Sequence, residues 1–183
     1  YLAEQDDLAG AAFLIAAQLD AGRTQARIQL AMAINEAELR ELPDLPLRQV
    51  KSVVWDNAHQ AVLSLQEERL GALCLSAKPL ADGDADAVKA AMLQGIRQMG
   101  LTSLPWDRSS RQWRNRVLCL SEWQPDGAWP DLSDAWLLAN LDSWLGPWLK
   151  GITRRSQLQK LNLLEILQQR LSWDQRKQLD QLA

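Results

Sequence analysis

The segment AAFLIAAQLDAGRTQARIQLAMA, residues 11–33, carries the pattern that decides the fold at the start of this chain. Residues 11–19 form a nearly continuous apolar run, as expected for a strand that is buried on both sides. Asp20, Ala21 and Gly22 supply a turn, in which Gly22 can adopt a positive φ. Apolar side chains then recur at every second position from residue 26 to residue 32, which is the period of a β-strand. The segment therefore predicts a β-hairpin.

Downstream of the hairpin, the sequence predicts a short helix and three more strands. Asn35 can cap a helix over residues 36–42, with Glu38 as the second partner of a capping box. The strand candidates are the segments at residues 50–55, 61–65 and 70–75. Five short strands with one interposed helix fit a small OB-like barrel over residues 1–80, truncated at its start. A sandwich or an open sheet gives a similar pattern.

The pattern changes to helices after Pro79. Helices are expected over residues 87–99, from 107 to about 123 and over 132–145, followed by two more near the end of the chain. The candidate N-cap residues are Asp84 or Asp86, Asp107, Asp131 or Asp134, Ser156 and Ser172. Residues 81–183 are therefore predicted to form an all-helical bundle, and the whole chain is predicted to be α+β.

The composition restricts the class of protein. The chain has 183 residues, of which 47% are hydrophobic and 23% charged, so it can bury a core and is globular. A net charge of −3 does not favour autonomous nucleic-acid binding, although local basic clusters are compatible with it. No apolar stretch is long enough to span a bilayer. Cys74 and Cys119 both lie between leucines, which predicts buried free thiols in a reducing compartment, so we expect a cytoplasmic protein.

The sequence contains no motif of a known catalytic site. It lacks the phosphate loop GxxxxGK[ST], the GxSxG turn and the HExxH helix. His59 is the only histidine, and no nucleophile stands at a recognisable spacing from it. Asp82, Asp84 and Asp86 precede a helix, where carboxylates stabilise the positive end of the helix dipole. We therefore expect no catalytic residue, no bound cofactor and no metal ligand in this chain.

The strongest candidate for a binding surface is a cluster of four arginines around Trp113: Arg108, Arg111, Arg114 and Arg116. At about 100° per residue, the first three fall on one broad helix face, away from Trp113 and Val117. Such a face can contact phosphates, and an exposed tryptophan can stack on a base. The competing interpretation is a solvated basic face over a core tryptophan.

Arg23 and Arg27, beside the hairpin turn, are the second candidate surface. The loops and strand faces of OB barrels are where single strands usually bind. If the barrel forms, these two arginines are therefore nucleic-acid-binding candidates.

The two ends predict that the chain is an internal piece of a longer protein. It begins with Tyr1 rather than Met and has no basic-then-apolar signal peptide. It stops at Ala183, within a predicted amphipathic helix. The competing interpretation is a complete small protein from which a terminal segment was trimmed.

Three segments together resemble a known family: ERLGALCLSAKPL (68–80), GLTSLPW (100–106) and WPDLSDAWLLA (129–139). Their order and spacing resemble the C-terminal part of HrpB-type bacterial ATP-dependent helicases, which belong to the DEAH-box superfamily. Residues 8–33 also resemble the region that precedes this part in that family. The resemblance covers essentially the whole chain, and the WPD-containing segment is its most specific piece.

The resemblance implies that the chain serves a motor whose catalytic parts lie outside it. The family's ATPase site lies between two RecA-like domains, which are expected upstream of Tyr1 and use ATP and Mg²⁺. The full-length protein is then expected to be an RNA helicase that moves single-stranded RNA through a channel. This chain would supply an OB-like wall of that channel and a helical domain that contacts the motor or a protein partner. The alternative is a protein-interaction module that binds no nucleic acid.

Overall fold

The first strands of the molecule form one antiparallel hairpin. A computed structural model of the chain describes residues 8–20, 27–81 and 83–181. β1 (Phe13–Asp20) pairs antiparallel with β2 (Arg27–Ile34), and Phe13 lies opposite Ile34. Both strands lie where the sequence predicts them, but the prediction that the first strand is buried on both sides is wrong, because residues 15–20 of β1 are exposed. The turn predicted at residues 20–22 lies outside the described residues, except for Asp20, which ends β1.

The short helix α1 (Glu36–Glu41) begins at the predicted cap. The Asn35 side-chain oxygen accepts a hydrogen bond from the backbone N–H of Glu38 (2.9 Å). The Glu38 carboxylate accepts one from the backbone N–H of Asn35 (3.0 Å). This reciprocal pair is the predicted capping box, and it satisfies two N–H groups that the first helical turn leaves without a partner.

Three strands form a second sheet: β3 (Leu47–Asp56), β4 (Ala61–Leu70) and β5 (Leu73–Pro79), in the order β3-β4-β5. The sequence predicts all three, although the observed β3 and β4 are longer than the predicted segments. Only two residues connect β4 to β5. The first of them, Gly71, has a φ of +58°, which glycine adopts without the steric cost that a Cβ atom brings.

The predicted five-stranded OB-like barrel is not what the described residues form. Their strands make a two-stranded sheet and a separate three-stranded sheet, and neither sheet closes on itself. A closed barrel requires every strand to pair with two neighbours, whereas among these five only β4 does so. A local hydrophobic pattern specifies where a strand lies but not which distant strand pairs with it. The coarser prediction of an α+β chain is confirmed.

Helices occupy the described region after β5. They are α2 (Ala85–Met99), α3 (Arg108–Trp123), α4 (Asp134–Ala139), α5 (Leu141–Trp144), α6 (Arg155–Leu158), α7 (Leu163–Gln168) and α8 (Trp173–Gln181). Asp84 caps α2, as predicted, and α2 ends at Gly100, whose φ is +78°. Short 3-10 turns at Leu101–Ser103, Pro125–Gly127 and Gly146–Trp148 redirect the chain. Within the described ranges, no helix is long and apolar enough to span a bilayer.

Three predictions about the later helices need correction. Neither Asp131 nor Asp134 is the cap of α4, because the Oγ of Ser133 accepts the capping hydrogen bond from the backbone N–H of Trp136 at 3.2 Å. The single helix expected over residues 132–145 is divided into α4 and α5, because Asn140 has a φ of −109° and a ψ of 23°, outside the helical range. Ser156 is not a cap, since α6 begins after Arg154. Ser172 is correctly predicted: its Oγ accepts a hydrogen bond from the backbone N–H of Gln175 at 3.3 Å.

The chain folds as two compact units. The strand unit contains the described residues up to Val50 together with Glu67–Ala77, and the helical unit contains Lys51–Gln66 and the described residues from Lys78 onward. Within the helical unit, apolar side chains from the seven helices α2 to α8, from Trp55 of β3 and from the connecting segments pack into one core. The fully buried members include Met92, Ile96, Val117, Leu132, Leu137, Leu141, Leu145, Leu158 and Leu167.

The prediction of buried cysteines is wrong, because both thiols are exposed. Cys119 lies on α3 and Cys74 on β5, each between two leucines. Neighbouring residues point in different directions on a helix and to opposite faces on a strand. The flanking leucines therefore carry no information about the burial of the residue between them.

Candidate nucleic-acid interface

Helix α3 carries the arginine cluster, and its start is set by a second capping box. The Asp107 carboxylate accepts a hydrogen bond from the backbone N–H of Ser110 (2.7 Å), and the Ser110 hydroxyl accepts one from the backbone N–H of Asp107 (3.1 Å). The Ser110 hydroxyl also donates to that carboxylate (2.6 Å), and these hydrogen bonds lower the pKa of Asp107. Trp113, Val117 and Leu120 are buried and anchor the opposite face of the helix.

Arg108 and Arg111 are the two arginines of the cluster whose side chains are open to a ligand. Both are exposed, and neither side chain makes a hydrogen bond or ion pair within the described part of the chain. Arg111 lies at the edge of a cavity of about 210 Å³, which Trp106 and Asp134 also line. A guanidinium group without a carboxylate partner is suited to binding a phosphate.

Arg114 has a structural role in the helical unit. Its side chain is only 18% exposed. Its Nε donates a hydrogen bond to the carbonyl oxygen of Leu132 (2.7 Å), and a terminal nitrogen donates to Asp134 Oδ1 (2.6 Å). The guanidinium also lies over the ring of Trp106, 5.4 Å from its centroid. These contacts hold the segment before α4 against α3.

Arg116 is also partly engaged, because a terminal nitrogen donates to the carbonyl oxygen of Leu179 on α8. The predicted face of Arg108, Arg111 and Arg114 therefore divides into two free arginines and one that is held by protein contacts. Whether these side chains contact nucleic acid stays a prediction.

A groove of about 610 Å³ runs along the exposed face of α3. Its polar lining comes from Arg108, Gln112, Asn115 and Arg116, and its apolar lining includes Cys119 and Trp123. Leu179 of α8 closes one side. No carboxylate lines the groove among the described residues, so its electrostatic character is basic although the chain as a whole is acidic.

The second predicted surface cannot be assembled from the described residues. Arg23 lies outside them. The backbone of Arg27 begins β2, opposite Asp20 in the strand register, but its side chain is not described. Both residues therefore stay sequence-based candidates for nucleic-acid binding.

The strand unit brings together two arginines that sequence reasoning missed. Arg48 and Arg69 line a cavity of about 320 Å³ beside Gly71. The Nε of Arg69 donates to Glu67 Oε2 at 2.6 Å, so part of its charge is offset. Only the pairing of β3 with β4 brings these distant positions together, and no local pattern in the sequence signals that pairing.

The single histidine has a local structural partner. His59 Nδ1 contacts Asp56 Oδ2, and this contact lowers the pKa of the Asp56 carboxyl. Asp56 also accepts a hydrogen bond from the backbone N–H of Ala58 (3.1 Å), so it organises the turn between β3 and β4. In the part of the chain that the structure describes, no cluster of three or more His, Cys, Asp or Glu residues is placed to hold a metal ion.

Comparison with known proteins gives one consistent result. No family model matches the chain. It is 34% identical over 155 residues to the ATP-dependent RNA helicase HrpB of Escherichia coli (strain K12), which is 85% of this chain but 19% of that protein. The chain thus spans about a fifth of the length of this relative.

Two solved structures agree with the sequence match. The crystal structure of the E. coli DExH-box NTPase HrpB matches 96% of this chain and 22% of its own, with a TM-score of 0.55 and 34% identity. A crystal structure of the Escherichia coli DEAH/RHA helicase HrpB matches 98% of this chain and 22% of its own, with a TM-score of 0.54 and 32% identity. The predicted resemblance is therefore confirmed, and the chain fits a C-terminal fragment of an HrpB helicase.

Proposed function

We propose that this chain is a non-catalytic accessory region of an ATP-dependent RNA helicase. In this role it contributes to the path of single-stranded RNA and to contacts with the motor domains. The observation that carries the proposal is the match to HrpB, at 34% identity over 85% of the chain. ATP and Mg²⁺ are then used by RecA-like domains elsewhere in the full-length protein, since the 183 residues contain no phosphate loop.

The RNA part of the proposal is supported by the free arginines of α3. Arg108 and Arg111 project from a rigid helix whose other face is buried in the core. Phosphate contacts of this kind supply affinity without regard to sequence. A motor that moves along a strand needs contacts that do not depend on sequence.

The contact with motor domains is supported by the apolar surface of the strand unit. Leu19, Leu30, Met32 and Leu73 are large hydrophobic residues that are exposed in this unit. Leu30 and Met32 are two residues apart on β2 and therefore share one face of the hairpin. Apolar residues that are exposed together on one face mark surfaces that bind other proteins. The same observation favours the alternative function, a protein-interaction module without an RNA role.

A salt titration of RNA binding distinguishes the two functions. Affinity for a short labelled single-stranded RNA is measured by fluorescence anisotropy between about 50 and 200 mM salt. The proposal predicts a log–log slope steeper than about −2, since each phosphate contact on a single strand contributes about −0.7. The double variant Arg108→Glu/Arg111→Glu is expected to reduce the steepness of that slope by about 1.4, for two lost contacts.

The control is the double variant Arg97→Glu/Lys160→Glu, which makes the same change in net charge at two exposed positions away from the groove. It is expected to keep most of the wild-type affinity. Equal loss in both double variants would show that only overall charge matters. If folded wild-type chain binds no RNA even at low salt, the protein-interaction function is supported instead.

A further inference from the structure

The groove along α3 is built by one side of a single helix. Positions 108, 112, 115, 116, 119 and 123 follow one another at intervals of three or four residues, apart from the adjacent pair 115 and 116, so they lie along one face. The face extends about 22 Å from Arg108 to Trp123, at 1.5 Å per residue. The groove is therefore long enough for several linked units of an extended polymer, and not only for one small molecule.

Most of the donors at the polar end of the groove have no partner among the residues that the structure describes. Gln112 and Asn115 are exposed, and their side-chain amides make no hydrogen bond within the described residues. Arg108 is likewise unpaired there, and Arg116 uses one terminal nitrogen for Leu179. Glu122 is exposed on the same helix but does not line the groove. The complementary ligand is therefore anionic and rich in hydrogen-bond acceptors.

The other end of the groove presents an aromatic ring. Trp123 is 76% exposed, whereas Leu120 and Leu179, which also line the groove, are 4% and 1% exposed. An amphipathic helix needs a row of accessible aliphatic side chains to dock, and the two leucines offer almost none. A flat ring at high exposure is instead the surface on which an unpaired base stacks.

We infer that this groove binds single-stranded RNA with the strand lying along α3, its phosphates at Arg108 and one unpaired base stacked on Trp123. The inference rests on the proposed function and deepens it, because it assigns a base-stacking contact and a direction along the helix. Gln112 and Asn115 lie between the two ends and can donate to phosphate or base oxygens. Stacking on Trp123 requires a base but does not select one base over another, because every base has a face that stacks.

Tryptophan variants test the stacking contact. Trp123→Ala is expected to weaken binding of single-stranded RNA about tenfold, and Trp123→Phe less, since a stacking base contributes about 1–3 kcal/mol. Trp173→Ala is the matched control: Trp173 is 71% exposed, lies on α8, and does not line the groove. It is expected to bind like wild type. On an abasic ribose-phosphate oligomer, Trp123→Ala should bind as wild type does.

The outcomes separate the inference from the proposed function. If Trp123→Ala binds RNA as tightly as wild type while Arg108→Glu/Arg111→Glu loses binding, the stacking contact is wrong and the phosphate contacts stand. If no variant and no wild-type chain binds RNA, both fail. A polyglutamate peptide that competes with RNA and also loses affinity in Trp123→Ala would make the groove a peptide site, which overturns the inference.

The two exposed cysteines give an independent readout. Cys119 lies in the groove, one helical turn from both Asn115 and Trp123, whereas Cys74 lies on β5. Saturating RNA is expected to slow alkylation of Cys119 about tenfold and to leave Cys74 unchanged. Equal rates at Cys119 with and without saturating RNA would contradict the inference. Equal slowing at both thiols would also contradict it, because it would indicate shielding that is not specific to the groove.

Discussion

The helical unit and the strand unit differ in where they place their large hydrophobic residues. In the helical unit, leucines from successive helices meet in one buried core. In the described part of the strand unit, the buried hydrophobic residues are Ile34 and Leu39, while Leu19, Leu30, Met32 and Leu73 are exposed. The helical unit therefore buries most of its large hydrophobic side chains in its own core, whereas the strand unit leaves several of its large hydrophobic side chains exposed.

The two units can be followed by different spectroscopic signals. All nine tryptophans lie at positions that belong to the helical unit, Trp55 included. Tryptophan fluorescence therefore follows the unfolding of that unit and reports little on the unfolding of the strand unit. Far-ultraviolet circular dichroism in the strand region supplies the complementary signal.

The largest expected effect comes from a truncation in the helical core. Leu137 on α4 is fully buried, so Leu137→Ala is expected to lower the free energy of unfolding by about 2–5 kcal/mol. The matched change in the strand unit, Leu30→Ala, removes a side chain that is 59% exposed, and it is expected to stay within about 0.5 kcal/mol. Urea denaturation followed by tryptophan fluorescence measures the first, and circular dichroism the second. Comparable losses in both variants would contradict the contrast between the units.

A smaller loss is expected where α2 crosses β3 within the helical unit. A Cβ atom on Gly95 would lie 2.3 Å from Cδ2 of Trp55, so Gly95→Ala forces the ring or the helix to move. Such overpacking costs about 1–3 kcal/mol, and it outweighs the better helix propensity of alanine. The control is Gln94→Ala, on the exposed side of α2. A Gly95→Ala protein as stable as wild type in urea would show that this packing is loose.

The arginines of α3 allow stability to be separated from binding. Arg114→Ala removes the hydrogen bonds to Leu132 and Asp134, and it is expected to lower the free energy of unfolding by about 1 kcal/mol. Arg111→Ala, at an exposed position on the same helix, is expected to have little effect on stability. Thermal denaturation of the two variants checks this prediction. An equal shift in melting temperature in both variants would contradict the assignment of a structural role to Arg114 alone.

The smallest expected effect is a pH dependence at the start of α3. The folded state lowers the pKa of Asp107 below its ordinary value of 3.8, so the ionised carboxylate stabilises the fold above that pH. This contribution is lost as the pH falls through the lowered pKa. Asp107→Asn keeps a capping oxygen without a charge. The difference in urea midpoint between wild type and Asp107→Asn should therefore shrink below about pH 3.8, whereas a constant difference would contradict the assignment.

The local structure of the chain was largely predictable from the sequence. Asn35, Asp84, Asp107 and Ser172 cap the helices that their positions indicate. Gly100 ends α2 at the predicted residue. Such signals are local, because a cap depends on hydrogen bonds across three or four residues.

Features that depend on distant contacts could not be predicted. The pairing of the five strands into two sheets is one example, and the placement of Arg114 is another. Its partners Leu132 and Asp134 are 18 and 20 residues away in sequence, so helical periodicity placed Arg114 on the open face with Arg111. The groove itself depends on Leu179 of α8, which no spacing within α3 reveals.

The most direct test of the account is a map of where single-stranded RNA lies on this protein. RNA that carries photoreactive 4-thiouridine is cross-linked to the chain, and the modified peptides are identified by mass spectrometry. We expect cross-links on α3 between Arg108 and Trp123, which the double variant Arg108→Glu/Arg111→Glu weakens and Arg97→Glu/Lys160→Glu does not. Cross-links that avoid α3 while RNA binding persists would contradict it.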